Sequence, residues 1–385
     1  MSKGSKKILV GGGSFGTALG GAIAKAHPEH SVQILLHKPE YIQSWRATGG
    51  VPDFFKNLTP EQCRLPNNVS CSTVEEASEL APDLFISAYP VQETRNANKE
   101  LLGLHPNLLQ KADILVVSKG MEVGTRKLPC EIVEETASFV HNIRKRVCYL
   151  IGPNLARDLF EKLSEEESLM IANIGGNREA CRRIIKVFLN SNLILRTTEA
   201  RYGLELGGAI KNVHAIGAGM SSVLIPNYST QASLASICTE EQENIIYSCD
   251  HAARKHNALR YGSRGDDMLS LVSGQTRNFQ AGRVLVERYD EYAAGKSLSD
   301  LMESNGKKPV IEGELSARPL SEFAREHKVS APILHLITKV LDREITPQQA
   351  LEALRQKGLK WMEMENYSFW ERCARIFRSS GRTEK

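Results

Sequence analysis

Three stretches of this 385-residue chain carry side chains able to do chemistry on a small charged molecule. Val116-Val117-Ser118-Lys119-Gly120 sets a lysine just beyond an apolar run. In a parallel sheet that is the carboxyl end of a strand, where such sheets present their ligands, so Lys119 is a candidate electrophile. Glu205-Leu206-Gly207-Gly208-Ala209-Ile210-Lys211-Asn212 places a second lysine on a helix whose small residues allow tight packing while Lys211 and Asn212 project from it. The third stretch, Gly265-Asp266-Asp267-Met268-Leu269-Ser270 followed by Gly274-Gln275-Thr276-Arg277-Asn278, reads as a glycine-bearing polar loop. A guanidinium beside an amide and a hydroxyl offers fork-shaped donors that suit a phosphate. Taken singly, each stretch also has an ordinary reading, because surface lysines and polar loops are common.

A fourth motif stands in a more specific setting. Gly11, Gly13 and Gly16 form G-x-G-x-x-G between an apolar strand at 8–10 and an apolar helix. Gly11 permits the tight turn, Gly13 lets a pyrophosphate approach the backbone, and Gly16 lets helix and strand pack closely. The anion then meets free amides at the positive end of the helix. About twenty residues further on, an NAD site usually offers an acid to the ribose. Here the second strand ends Leu36-His37-Lys38-Pro39, with the nearest acid, Glu40, after the proline. A basic end suits a 2′-phosphate, whereas a neutral His37 and a solvated Lys38 would not favour one, so NAD and NADP both stand as cofactors.

The elements that must position these groups follow from periodicity. Apolar runs at 8–10, 32–36, 84–88, 114–117, 149–151, 169–172 and 193–195 alternate with helical patterns. Several are apolar at successive positions, as strands buried on both faces should be. This predicts an α/β fold, with an N-terminal Rossmann-type doubly wound parallel sheet. After residue 198 the strand pattern stops, and segments such as 240–257, 281–294 and 320–326 have helical spacing. A chain longer than about 250–300 residues usually divides. The expected division is therefore a dinucleotide-binding domain over 1–198 and an all-helical C-terminal domain over 199–385 that binds substrate. The stretch 361–385 mixes aromatic residues with arginines and reads as an amphipathic closing helix docked on the body.

Composition narrows the partners. Basic and acidic residues number 49 and 45 and are mixed along the chain, so no stripe suited to a nucleic-acid backbone stands out. Eight cysteines are scattered without a C-x-x-C pair, which predicts free thiols in a reducing compartment and no zinc. His251 and His256 lie five apart, and no His/Glu pair has metal-helix spacing, so no metal is expected. No apolar run is long enough to span a bilayer. The expected setting is the cytoplasm, with a small-molecule substrate.

In their order these motifs resemble the NAD(P)-dependent glycerol-3-phosphate dehydrogenase family, from about Lys7 to about residue 360. The resemblance runs through the glycine loop, Ala88-Tyr89-Pro90 with Arg95, Ser118-Lys119-Gly120, Gly152-Pro153-Asn154-Leu155-Ala156, Gly208-Ala209-Ile210-Lys211-Asn212, Thr276-Arg277-Asn278 and Val310-Ile311-Glu312-Gly313. It implies reversible hydride transfer between the nicotinamide cofactor and dihydroxyacetone phosphate or sn-glycerol 3-phosphate, in a homodimer. It implies that Lys211 is the catalytic acid/base, with Lys119 and Asp266 completing the polar cluster. Asn212, Arg277 and Asn278 would hold the phosphate, with Gly152, Asn154 and Thr276 in the substrate site. Ser14, Phe15, His37, Lys119, Ala156, Arg277, Val310 and Glu312 would touch cofactor. The residue types suit the reaction, since a ketone gaining hydride builds charge on oxygen that an ammonium can stabilise and protonate.

The chain departs from the family around 220–232, at His214 and at Asp267, where apolar residues are usual, which marks a divergent member. The alternatives are a reductase of another phosphorylated or carboxylated ketone and a catalytically silent NAD(P) sensor. Thr276-Arg277-Asn278 favours a phosphate, and a sensor has no physical need of both lysines and Asp266.

Overall fold

A computed structural model describes residues 4–51, 54–55, 58–59, 61–79, 81–153, 155–161, 170–255, 259, 262–304, 306 and 308–365. Its first part alternates strands and helices: β1 (Lys7–Gly12), α1 (Ser14–Ala26), β2 (Ser31–Leu35), α2 (Pro39–Thr48), β3 (Val69–Ser72), β4 (Leu84–Ala88), α3 (Val91–Leu104), β5 (Asp113–Val116), α4 (Pro129–Thr136), β6 (Val147–Ile151), α5 (Ala156–Glu161), β7 (Met170–Gly175), α6 (Arg178–Val187) and β8 (Leu193–Thr198). The strands form one sheet in the order β3-β2-β1-β4-β5-β6-β7-β8. Connections after β1 run to one side and those after β4 to the other, so the order reverses between β1 and β4, where open parallel sheets bind ligands. Side chains alternate across the sheet: Leu9, Phe85, Val116 and Tyr149 enter one core, and Ile8, Val10, Ile86 and Leu150 the other. Strands buried on both faces explain the continuous apolar runs.

Two features differ from the sequence reading. β3 alternates Val69 and Cys71 with Ser70 and Ser72, so it presents no apolar run, yet it pairs in parallel with β2. The sheet is also not wholly parallel. β7 runs antiparallel to β6, while β8 is parallel to β7 after the α6 crossover, so the β7-α6-β8 unit is added inverted. Residue 169, expected in this strand, lies outside the described residues.

Among the described residues the elements that follow are helices: α7 (Arg201–Leu224), α8 (Tyr228–Cys249), α9 (His251–Lys255), α10 (Gly262–Leu271), α11 (Arg277–Glu287), α12 (Tyr289–Ala293), α13 (Leu298–Leu301), α14 (Glu312–Glu326), α15 (Pro332–Leu341) and α16 (Pro347–Glu365). The helix expected over 240–257 breaks at Asp250, whose Oδ1 accepts from the amides of Ala252 and Ala253 and restarts the helix as α9. The closing helix expected over 361–385 lies largely outside the described residues, with α16 reaching Glu365. α7 is the central post, buried along most of its length. Its Ile216 carbonyl lies 2.0 Å from where a Cβ on Gly282 would stand, and the Phe279 carbonyl of α11 lies equally close to that position on Gly219. The two helices cross at backbone contact only because both positions are glycine. Among the described residues no helix is long and apolar enough to cross a membrane.

Candidate active site

The glycine loop is built as an anion cradle. β1 ends at Gly12, whose φ of +121° turns the chain, and α1 starts at Ser14 after Gly13; Gly11, expected to make the turn, instead stays in β1, where a Cβ would run into the Tyr89 ring. A Cβ on Gly13 would meet nothing within 4 Å, whereas one on Gly16 would touch Ala88 Cβ and Val10 Cγ1 at 3.0 Å. The second glycine therefore opens space and the third closes helix on strand, as a dinucleotide requires. Gly13 caps α1 without a side-chain acceptor, and the first turn holds no acid. That end of the helix keeps its positive field for a pyrophosphate. Ser14 and Phe15 are half-buried at the rim. Gly11 pairs with Leu35 of β2, which brings the exposed His37 and Lys38 alongside the loop. Lys38 Nζ lies 5.6 Å from the Tyr41 ring centroid.

The lysine cluster joins three segments. Lys119 follows β5, Lys211 lies on α7, and Asp266 lies on α10, so the stretch read as a polar loop is a helix around Asp266. Asp266 Oδ1 lies 2.8 Å from Lys211 Nζ, and its Oδ2 accepts from Lys119 Nζ at 2.8 Å. Lys211 is 4% exposed and Asp266 2%. Burial disfavours the Lys211 ammonium, Asp266 supports it and Lys119 repels it; the balance pulls its pKa down to about 8. Burial also works against the charge on Asp266, but the two ammonium groups overcome it and hold the carboxyl below its usual value. Lys211 Nζ donates as well to Ser270 Oγ at 2.7 Å. Sequence reading gave Ser270 no role, although its spacing of four from Asp266 puts both on one helix face.

The expected phosphate donors gather beside this cluster. Thr276 caps α11, its Oγ1 accepting from the Phe279 amide at 3.4 Å. The exposed Arg277 opens the helix and donates from Nη1 to the Val310 carbonyl at 3.4 Å. Asn212 Nδ2 donates to Glu312 Oε2 at 3.1 Å, and Asn278 Oδ1 accepts from the Gly313 amide at 3.0 Å. α7, α11 and α14 thus meet through these residues, next to Lys211. Burial raises the Glu312 carboxyl, while Arg277, Lys119 and Lys211 work to lower it. Gly152 is buried directly after β6, Ala156 opens α5, and Pro153 between them packs on Gly265 of α10. Asn154 lies outside the described residues.

These residues form two groups along one edge of the sheet: Gly11, Gly13, Ser14, Phe15, Gly16 and His37 where β1 and β2 end, and the lysine and amide cluster beyond β5 and β6. His214 belongs to neither. Its Nε2 lies 3.0 Å from Glu241 Oε1, and Glu241 also accepts from the amides of Ile333 and Leu334 at the start of α15. This departure is a buried brace between helices. Among the described residues, one trio has ligand atoms near enough to share a metal: His27, Glu29 and His30, in the turn before β2 at the opposite sheet edge. The two imidazole rings are stacked at 4.6 Å, so their planes do not converge on one ion, and no metal is assigned.

Residues 7–172 match the family described as NAD-dependent glycerol-3-phosphate dehydrogenase N-terminus, and residues 201–352 match the corresponding C-terminus. Glycerol-3-phosphate dehydrogenase [NAD(P)+] of Pseudomonas entomophila (strain L48) is 29% identical over 355 residues, covering 92% of this chain and 95% of that protein. The enzyme of the same name from Brucella canis is 28% identical over 356 residues, covering 92% and 98%. In fold, the chain superposes on a glycerol-3-phosphate dehydrogenase from Coxiella burnetii with a TM-score of 0.73 at 20% identity, covering 91% of this chain and 98% of that one.

Proposed function

The chain belongs to the NAD-dependent glycerol-3-phosphate dehydrogenase family, and from that premise we propose how its residues divide the reaction between dihydroxyacetone phosphate and sn-glycerol 3-phosphate. The protein is an oxidoreductase using NAD or NADP. The bound nicotinamide supplies or accepts the hydride. Gly11, Gly13 and Gly16 shape its pyrophosphate seat, Ser14 and Phe15 line the rim, and Lys38, beside His37, faces the ribose with positive charge that tolerates a 2′-phosphate. Ala156, Val310 and Glu312 complete the cofactor contacts, with Lys119 and Arg277 shared between cofactor and substrate.

The observation that carries the reading is the shared carboxylate: Asp266 holds Lys211 and Lys119 at 2.8 Å each. Lys211, partly discharged by burial, donates a proton to the carbonyl oxygen as that oxygen gains charge, and recovers it in the reverse direction. A proton donor works best with a pKa near the working pH, which is where burial and Lys119 place it. Asp266 keeps both ammonium groups aimed at one point, and Lys119 adds a second positive charge beside the oxygen. Asn212, Asn278, Thr276 and Arg277 take the phosphate, with Gly152 and Asn154 closing the substrate site from the β6 side. Asn278 spends its carbonyl on Gly313, which leaves its NH₂ end for an anion.

We divide the chain at 198/199, supported by the end of β8 at Thr198 and the start of α7 at Arg201. A cytoplasmic setting is supported by the free thiols of the seven described cysteines. The homodimer rests on family resemblance, and light scattering of the purified protein tests it. The reaction is tested by following NADH, and separately NADPH, on addition of dihydroxyacetone phosphate. Rapid oxidation of either is expected. Binding of cofactor without any turnover would sink the reading in favour of another ketone or a sensor.

A further inference from the structure

Asp267 takes no part in the reaction described above, and it is an acid placed where burial punishes charge. It lies beside Asp266 on α10, 2% exposed. Gln242 of α8 stands near it, its amide favouring the ionised carboxyl. The geometry leaves oxygens without hydrogens: Asp267 Oδ1, Gln242 Oε1 and Ser263 Oγ are all buried and unpaired among the described residues. Gln242 Nε2 donates to the Gly207 carbonyl at 3.1 Å, which fixes the opposite end of the amide as oxygen. Ser263 stands one helical turn before Asp267 and brings a single hydrogen. Ser263 Oγ is itself without a partner, so its hydroxyl serves neither of the other two, and Asp267 Oδ1 and Gln242 Oε1 stand as two buried acceptors with no donor among the described residues.

We propose that Asp267 carries a proton in the resting enzyme and donates it to Gln242 Oε1, forming a neutral carboxylic acid–amide pair against the lysine cluster. Such a pair is cyclic, the amide N–H meeting one carboxyl oxygen while the acid O–H meets the amide oxygen, so it repairs both unpaired acceptors with one proton. The groups around it are Asp266 and Arg264 of α10, Lys211 of α7, and Cys238 and Glu241 of α8, the last already engaged by His214. Burial and the neighbouring Asp266 charge hold the carboxyl up, to about 8, against the pull of Lys211, Gln242 and Arg264.

The consequence rests on the reading of this cluster as the seat of a phosphorylated ketone. With Asp267 neutral, Asp266 is the one acid serving two lysines, and the site keeps positive charge for a dianionic substrate. Asp267 is therefore a positioning residue: it sets the charge that Lys211 and Lys119 present. At alkaline pH it ionises, cancels part of that charge and weakens substrate binding.

Infrared difference spectra of wild type minus Asp267→Asn at about pH 6.5 read the carboxyl directly, since protonated and ionised carboxyls absorb apart. The expected result is one protonated-carboxyl band present in wild type, absent from the variant, and lost from wild type as pH rises through about 8. The subtraction removes Glu205, whose buried carboxyl is pushed up to about 7. The Michaelis constant for dihydroxyacetone phosphate is expected to agree within about twofold at pH 7, then to rise several-fold more steeply above pH 8 in wild type than in the variant. Absence of the band difference, or equal rises in the Michaelis constant, overturns the proposal. Should wild type not turn over this ketone at all, the substrate reading fails while the infrared arm still decides the proton. Should that variant not fold, the same subtraction against Asp267→Ser decides: a protonated-carboxyl band present only in wild type and lost near pH 8 supports the proposal, and no such band defeats it.

Discussion

Asp266 and Lys211 form a buried pair in which Oδ1 faces Nζ at 2.8 Å, while the second oxygen of the same carboxylate is taken by Lys119. One acid from α10 thus orders two bases that arrive from β5 and α7, more than 90 residues apart. Lys211 is held by Ser270 Oγ as well, and the charge of each lysine is felt by the other.

The first consequence is for pH. Lys211 must be protonated to reduce the ketone and neutral to oxidise the alcohol, and its pKa stands at about 8. kcat/KM for ketone reduction should therefore fall as pH rises through about 8, while that for alcohol oxidation should rise over the same interval. Lys119 repels the Lys211 charge and Asp266 supports it. Lys119→Met should move both limbs up and Asp266→Asn should move both down, each by about one pH unit. Limbs that stay in place in both variants would remove Lys211 as the titrating group.

Arg277 stands exposed at the head of α11, held to the Val310 carbonyl at 3.4 Å. Hydrogen bonds to a charged group contribute about 1.5–3 kcal/mol, so Arg277→Ala should raise the Michaelis constant for dihydroxyacetone phosphate by about tenfold or more, with kcat changed far less. Steady-state kinetics decide it. An unchanged constant takes Arg277 out of the phosphate site.

The glycine loop predicts opposite outcomes at two of its glycines. A Cβ at position 13 meets nothing within 4 Å, so Gly13→Ala should lower the melting temperature less than a substitution at position 16 and weaken binding of NADH by intruding on the pyrophosphate seat. A side chain at position 16 runs into Ala88 and Val10, so Gly16→Val should lower stability by about 1–3 kcal/mol. Melting curves and cofactor titrations of the two variants separate the roles; equal behaviour contradicts them.

Glu241 accepts from His214 and from the amides of Ile333 and Leu334. Removing a buried acceptor strands all three donors, so Glu241→Ala should cost about 2–4 kcal/mol of stability, read by denaturant unfolding. A loss under about 0.5 kcal/mol would show that the brace does not hold α15.

What sequence showed and what it hid divide along a physical line. Glycine spacing, the strand before it and the helix after it are local, so Gly11, Gly13 and Gly16 were legible, as were the fold class and the projection of Lys211 from a helix. Pairings made by distant segments were not. β3 hides because its inward Val69 and Cys71 alternate with serines, and the reversed β7 hides because strand direction leaves no mark on composition. The helix carrying Asp266 passed for a loop because Gly262, Gly265 and two adjacent acids look like turn chemistry; packing on α7 overrides that propensity. Ser270 and Gln242 acquire meaning only through the lysine and the acid they meet in space.

Lys211 moves the proton while the rest of the site binds. The most direct test is to measure turnover of dihydroxyacetone phosphate and NADH affinity side by side in wild type and Lys211→Met at pH 7. A loss of kcat of about 10²–10⁴-fold is expected, the usual worth of a general acid, with the dissociation constant for NADH held within about twofold. Turnover near that of wild type, with cofactor still bound, would contradict it.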